Sequence, residues 1–250
     1  MAQFVFLAAF LIWLAVRGAE NLGYNWQWDR VLPFLVLIEN GQLSLGALLR
    51  GVGVTLEITG LGLILSTGFG LTAALLRLSG SFTARVLART YVELIRNTPL
   101  LIQLFFIYFV LAPVLGLGRF TSAVLALSLF EGAYAGEIIR GGIVSLHQGQ
   151  WQAAYSLGLS WFHTYRYVIL PQAFRRVLPP LTGQAVSLLK DSALVSTIAI
   201  YDLSMQAQAI VAETFLAFEI WFTVAAIYLA LAIILSSAAQ TMEARLKIEH

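Results

Sequence analysis

Apolar residues run in long blocks from one end of this chain to the other. Drawn at the ~20 residues that crossing a hydrocarbon core of roughly 30 Å demands, the blocks predict five membrane spans over about 52–76, 98–117, 121–140, 177–200 and 219–238. A shorter block, MAQFVFLAAFLIWLAV at 1–16, is apolar except for Gln3. As a helix it reaches roughly 24 Å, enough for a further span in a thin or locally deformed bilayer. No basic segment precedes it, and Arg17 stands where a cleaved leader would carry small residues, so an uncleaved span is expected. The stretch YNWQWDRVLPFLVLIENGQLS that follows is broken by Pro33 and the Asn40–Gly41 pair. Its Trp26 and Trp28 suit the headgroup level of a membrane, which predicts an external connector lying on the surface.

The polar intervals between the blocks differ in charge. Residues 77–97 hold Arg77, Arg85, Arg89 and Arg96 against Glu93, and residues 140–176 hold Arg140, Arg166, Arg175 and Arg176 against no acid. Basic loops favour the cytoplasmic side. The intervals 113–120 and 201–219 carry, respectively, only Arg119 and only the acids Asp202, Glu213 and Glu219, and so face outward. With Arg245 and Lys247 at the carboxyl end, five spans run from outside to inside, and the amino-terminal span puts both ends in the cytoplasm. Arg17, Arg30 and Arg50 fall on the outer side, where Glu20, Asp29 and Glu39 offset them.

Composition agrees: of 250 residues 59% are hydrophobic and 11% charged, against about 25% charged in a soluble domain. The expected fold class is therefore an all-α polytopic membrane protein, with 1–50 as amino-terminal helix and connector and 51–250 as the core. Cysteine is absent, which excludes disulfides and thiolate-ligated metals. No phosphate loop, HExxH or GxSxG occurs, and His147 and His163 have no carboxylate nearby in sequence. No catalytic residue, bound cofactor or metal is expected in this chain.

Small residues mark where helices approach closely in lipid. Gly62, Ser66 and Gly70 recur on one helical face and Gly132 and Gly136 form a second such pair, both expected to serve packing within the chain. Charged groups at membrane depth are costly and mark pathways unless they are paired. Glu57, Glu131, Glu137, Lys190 and Asp191 are of this kind, although Glu137, one helical turn before Arg140, has a local partner. Lys190 and Asp191 point about 100° apart on a helix and need partners elsewhere, either a substrate or another helix. Thr182, Gln184, Ser187, Ser192, Ser196 and Thr197 make one face of the same segment wet. Thr98 and Gln103 flank Pro99 at the start of a span, where they serve either freed carbonyls or a polar ligand. The candidate pathway is thus Glu57, Thr98, Gln103, Gln184, Ser187, Lys190 and Asp191.

One interval carries no chemistry of its own. QAAYSLGLSWFHTYRYVILP sets Gln152, Ala153 and Ala154 ahead of Gly158, follows with Trp161, Phe162, Tyr165 and Tyr167, and ends on Leu170 and Pro171, which is expected to break the helix. Small residues a turn apart form a shallow surface for a partner, the alternative being an amphipathic helix lying on the membrane. The spacing resembles the cytoplasmic motif of ABC importer permeases, read there as EAA, three residues, G, nine residues, I, one residue, LP, with Gln152 where the family usually has glutamate. RNTPLLIQLFFIYF, AYAGEIIRGGI, GQWQAAYSLGLS, VILPQAFRRVLPPL and LLKDSALVS each resemble, in order, regions of the permeases for polar amino acids, over about residues 45–245.

That resemblance implies a type I ABC importer permease fold of five core helices plus the amino-terminal one, in a bacterial cytoplasmic (inner) membrane. It implies a coupling helix at about 150–165, in which Gln152, Ala153, Ala154, Leu157, Gly158, Leu159 and Ser160 dock on a cytoplasmic ATPase dimer. ATP and Mg would then sit on that partner, a second permease subunit would complete the pathway, and an extracytoplasmic binding protein would deliver the amino acid. Two rival readings are an ion-coupled secondary transporter, with Glu57, Glu131 or Asp191 carrying a proton, and a membrane scaffold with a docking motif but no pathway.

Overall fold

The computed structural model describes residues 24–39 and 42–246, together with Phe6, Phe10, Trp13 and Arg17. Apart from those isolated positions, the expected span at 1–16 lies outside the described residues, as do Lys247 and the side chain of Arg245. Helices dominate: α1 Ala47–Leu78, α2 Phe82–Arg96, α3 Leu100–Leu115, α4 Arg119–Val144, α5 Gln148–Ser156, α6 Trp161–Ile198, α7 Leu203–Thr214 and α8 Ala217–Leu246. By length and composition α1, α4 and the Ala217–Thr241 part of α8 each suffice to cross a membrane, and the bent pairs α2 with α3 and α6 with α7 bring the total to five.

The centre of the molecule is the α1–α4 pair, and it closes where the sequence is smallest. A Cβ added at Gly70 would lie 2.7 Å from Ala135 Cβ, and one at Gly132 would lie 2.7 Å from Phe69 Cβ. Backbones meet here with no room for a methyl group, the geometry that small-xxx-small spacing permits. Gly62 faces α6 instead, its Cβ position 3.3 Å from a methyl of Leu188. These faces are used within the chain, as the sequence suggested.

Three of the expected loops contain helices, of which only the one within 150–165 was expected. Residues 77–97 contain α2, whose first turn is capped by Ser81 accepting from Ala84 N–H at 3.3 Å. Its apolar side buries Ala88 and Val92, and the Tyr91 hydroxyl donates to Leu129 O at 2.7 Å. Residues 201–219 contain α7, for which buried Asp202 is the cap, accepting from Met205 N–H at 2.9 Å. Glu219 is also buried, accepting from the Tyr24 hydroxyl at 2.7 Å and from Gln27 N–H at 2.8 Å. That bond holds the Tyr24 phenol above its ordinary range. Two of the three acids that read as an outward loop are thus a cap and an anchor for the connector. The connector adds a hairpin to the all-helical expectation, β1 Val36–Glu39 antiparallel to β2 Gln42–Leu45.

The third expected loop, 140–176, holds α5 and the start of α6. Pro171 does not break α6, because the turn before it, Tyr165–Ile169, is π-helical. Widening from i→i+4 to i→i+5 bonding moves away the carbonyl that the ring would strike and that its missing N–H would leave orphaned. The same device precedes Pro113, where Phe106–Leu111 is π-helical. Between α2 and α3 the chain bends by 107° at Pro99. The Gln103 amide fills that corner, donating to Ile95 O at 2.7 Å and to Thr98 O at 3.0 Å and Oγ1 at 2.7 Å.

Candidate functional site

Two places in this fold offer a surface that packing alone does not consume. The first is the turn around α5. Helix α5 is capped by the His147 ring, whose Nδ1 accepts from Gly149 N–H at 3.0 Å. It is held to α6 by Trp151 packed edge-on against Tyr165, ring centroids 4.9 Å apart, and by Gln172 donating to Gln150 at 3.1 Å. Arg176 fixes the preceding turn, donating to Ser145 O at 2.7 Å.

The predicted coupling residues divide across this turn. Gln152 and Ala153 are exposed on α5, while Ala154 is buried against the protein. The helix ends at Ser156 rather than continuing to 165, because Gly158 takes φ +77°, a conformation costing roughly 1–2 kcal/mol for an L-residue. Leu159 is half-buried, and Ser160 caps α6, bonded to His163 Nδ1 at 2.7 Å. Both histidines therefore serve helix starts, His147 as the cap of α5 and His163 as the partner of the Ser160 cap of α6. Leu157 is left 82% exposed, and Tyr155, Trp161 and Phe162 are exposed around it. Leu157 and these aromatics leave an exposed apolar surface at the end of α5.

The second place is a cavity of about 190 Å3 between α1, α4 and α6, with Ser66, Thr67, Glu131, Gln184 and Leu188 among its walls. Glu131 is 1% exposed. Gln184 donates to its Oε2, and its Oε1 meets no donor. Asp191, half-buried, lies within hydrogen-bonding reach of Glu131.

The expected pathway residues are not all gathered here. Gln184 lines the cavity and Asp191 adjoins it through Glu131. Ser187 is half-buried on α6, and Lys190 is exposed with no ion pair among the described residues. Thr98 and Gln103 belong to the corner at Pro99 and line a separate apolar cavity with Phe106 and Leu129. Glu57 is exposed on α1 and has no ion pair among the described residues. Glu131 was conspicuous in the sequence as an acid at membrane depth, but its partner Gln184 lies 53 positions away. Only the fold makes that pair visible.

Glu137 has more company than Arg140. Arg140 contacts both its carboxylate oxygens at 3.2 Å, Arg77 pairs with Oε1, and Arg96 stands 3.9 Å from Oε2. Arg96 also lies over the Tyr134 ring, 5.1 Å from its centroid. One carboxylate therefore ties together α1, α2 and α4.

Comparison with known proteins puts this geometry in context. The glutamine transport system permease protein GlnP of Escherichia coli (strain K12) is 42% identical over 227 residues, covering 90% of this chain and 99% of that protein. The L-cystine transport system permease protein TcyB of Bacillus subtilis (strain 168) is 40% identical over 231 residues, covering 91% of this chain and 94% of that one. Among solved structures, an amino acid ABC transporter with histidines superposes with a TM-score of 0.75 at 38% identity, covering 80% of this chain and 94% of that one. The inward-facing MetNI methionine ABC transporter shares the fold, with a TM-score of 0.69 at 19% identity over 81% of this chain and 97% of that one. The family model for binding-protein-dependent transport system inner membrane components matches residues 66–248, and the chain belongs to that family.

Proposed function

We infer that this chain is the permease subunit of an ABC importer, moving polar amino acids into the cytoplasm by alternating access and driven by a separate ATPase. The observation that carries the reading is likeness along nine-tenths of the chain to permeases named for glutamine and for L-cystine. In this reading ATP and Mg are bound by the partner ATPase dimer, an extracytoplasmic protein delivers the amino acid, and the assembly sits in a bacterial cytoplasmic membrane. The work of α5 is mechanical: its exposed residues seat on the ATPase, and its packing onto α6 passes the motion to a helix that walls the cavity.

Leu157 tests this sharply, because its side chain is bare and its loss leaves the fold alone. Affinity-purified wild-type chain, expressed with the ATPase subunit of its own organism, is expected to bring that subunit down. Leu157→Asp is expected to lower the recovery by an order of magnitude or more while the amount of permease in the membrane stays the same. Equal recovery from the variant would remove α5 from the coupling role.

A second permease subunit is part of the proposal. Glu57 shares a face of α1 with Gly53 and Gly60, where added Cβ atoms would meet nothing within 4 Å. A carboxylate on that face is costly against hydrocarbon, whereas a neighbouring subunit or the water between subunits accommodates it. Since the chain has no cysteine, Gly60→Cys supplies a single thiol. Mild oxidation in membranes is expected to give a product of about twice the permease mass, and its absence would place the second subunit on another face.

A further inference from the structure

We propose that the groove between the cytoplasmic ends of α1, α4 and α6 holds one anionic phospholipid of the cytoplasmic leaflet, with an acyl chain along the groove and the phosphate on Arg166. The site lies apart from the cavity beside Glu131 and asks nothing of the transported substrate.

The groove has a volume of about 420 Å3, within the roughly 300–1,000 Å3 of sites that enclose small molecules. Leu75 and Leu78 of α1, Ile143 of α4 and Leu170 of α6 form its apolar length. Leu75 and Leu170 are 56% and 49% exposed, so the described chain leaves both open. One helical turn deeper in the membrane, on the same faces of α1 and α6, Leu71 and Phe174 are exposed as well. The groove therefore continues into surface that hydrocarbon covers.

Toward the cytoplasm its character changes. By the charge of the loops α1 runs inward and α6 outward, so Ser79 and Arg166 stand one turn nearer the cytoplasm than Leu75 and Leu170. Arg166 lines the groove, its guanidinium 5.8 Å from the centroid of the Tyr167 ring. Arg85 reaches the same end, donating to Ser79 O at 3.0 Å and to Gly80 O at 3.1 Å. Neither arginine makes an ion pair among the described residues. No acid occurs between Glu57 and Glu93 or between Glu137 and Asp191, so the segments that build this end bring only positive charge to it.

Apolar length below and unpaired guanidinium above complement an acyl chain ending in a phosphate, and basic pockets between spans on the cytoplasmic side take anionic headgroups. A soluble phosphate would leave the leucines uncovered, and a zwitterionic lipid would bring its own cation to the arginines. Trp161 and Phe162 also line the groove, which assigns them to the headgroup level of the lipid and not to the ATPase seat around Leu157. The Trp161 ring lies 4.4 Å from Tyr165, centroid to centroid, and Tyr165 meets Trp151 of α5. The lipid thus packs on the ring stack that joins α5 to α6.

The test offers the purified permease, in mild detergent, equal amounts of dioleoyl phosphatidylglycerol and dioleoyl phosphatidylcholine, and reads the retained lipid by native mass spectrometry. Wild type is expected to hold a single phosphatidylglycerol at least about fivefold more often than a phosphatidylcholine, and Arg166→Gln to bring that ratio to within about twofold. Arg175→Gln removes an exposed arginine of the same interval that does not line the groove, and should keep the wild-type ratio. Leu75→Trp fills the groove and should lower retention of both lipids. Excess glycerol phosphate, which offers the phosphate without the chains, should displace nothing. The proposal is overturned by equal retention of the two lipids in wild type, by matched losses in the two arginine variants, by full retention in Leu75→Trp or by displacement with glycerol phosphate. The same measurement on the permease–ATPase complex decides the rival occupant: phosphatidylglycerol kept in the complex supports the site, and phosphatidylglycerol expelled gives the groove to the ATPase.

Discussion

Replacing Glu137 by alanine is expected to lower the unfolding temperature of the purified chain in detergent by roughly 5–10 °C, from a loss of about 2–3 kcal/mol. Three guanidinium groups, from α1, α2 and α4, converge on this carboxylate. Removing one partner from a fully buried pair costs about 3–5 kcal/mol, because the remaining charge is stranded. Here Arg77, Glu137 and Arg140 side chains are 18%, 21% and 29% exposed, so water recovers part of the loss, but three like charges are left facing one another. The Arg89–Glu93 pair is the control: its atoms are 4.0 Å apart and its side chains 73% and 58% exposed. Arg89→Ala should change the unfolding temperature by no more than about a degree, as exposed i,i+4 pairs contribute only about 0.3–0.5 kcal/mol. If Glu137→Ala proves as mild as Arg89→Ala, the cluster is an ornament of the surface and does not clamp the three helices.

The same cluster shows how far the sequence could be read. The local pairing of Glu137 with Arg140 follows from their spacing alone, and it is present. Arg77 and Arg96 were legible only as loop charges, since a charge count ranks an interval by its net sign and ignores periodicity. Phe82–Arg96 is amphipathic, with Ala88 and Val92 buried one turn apart, so the periodic test would have found α2 where the charge test found a loop. Ser81 and Asp202, which cap α2 and α7, are of the residue types that favour helix starts, a signal that a charge count passes over.

Glycine and proline gave a mixed signal. Gly158 carries the left-handed turn that ends α5, and Ser160 begins the next helix two residues on. Both are ordinary stop and start signals, yet a motif read as one unit hid them inside a single helix over 150–165. Pro171 misled in the other direction, because whether a proline breaks a helix or is absorbed by a π turn depends on bonding in the turn before it. The cavity was half legible: Glu131, Gln184 and Asp191 each stand out as polar groups in apolar segments, but their meeting depends on how α4 and α6 cross.

The small-residue seam was legible outright, and it supports the largest effect expected of any single substitution. Gly70→Leu should abolish recovery of folded chain, seen as loss of the monodisperse peak of a fluorescently tagged permease on size exclusion in detergent. Even a methyl group at Gly70 would lie 2.7 Å from Ala135 Cβ and 3.0 Å from both Gly132 O and Gly136 N. Two of those three atoms are backbone, so no side-chain rotation relieves the clash and the helices themselves must separate. Ordinary overpacking costs about 1–3 kcal/mol because neighbours can shift. Here separation would also open the contacts that bury Ala73 and Ala133 and draw Glu137 away from Arg77. Gly68, two residues earlier on the same helix, has nothing within 4 Å of its Cβ position. Gly68→Leu adds the same bulk to the same helix and is expected to leave the peak intact. A matched loss in both variants would trace the defect to leucine's effect on insertion or helix propensity, and survival of Gly70→Leu would mean that α1 and α4 have a second way to pack.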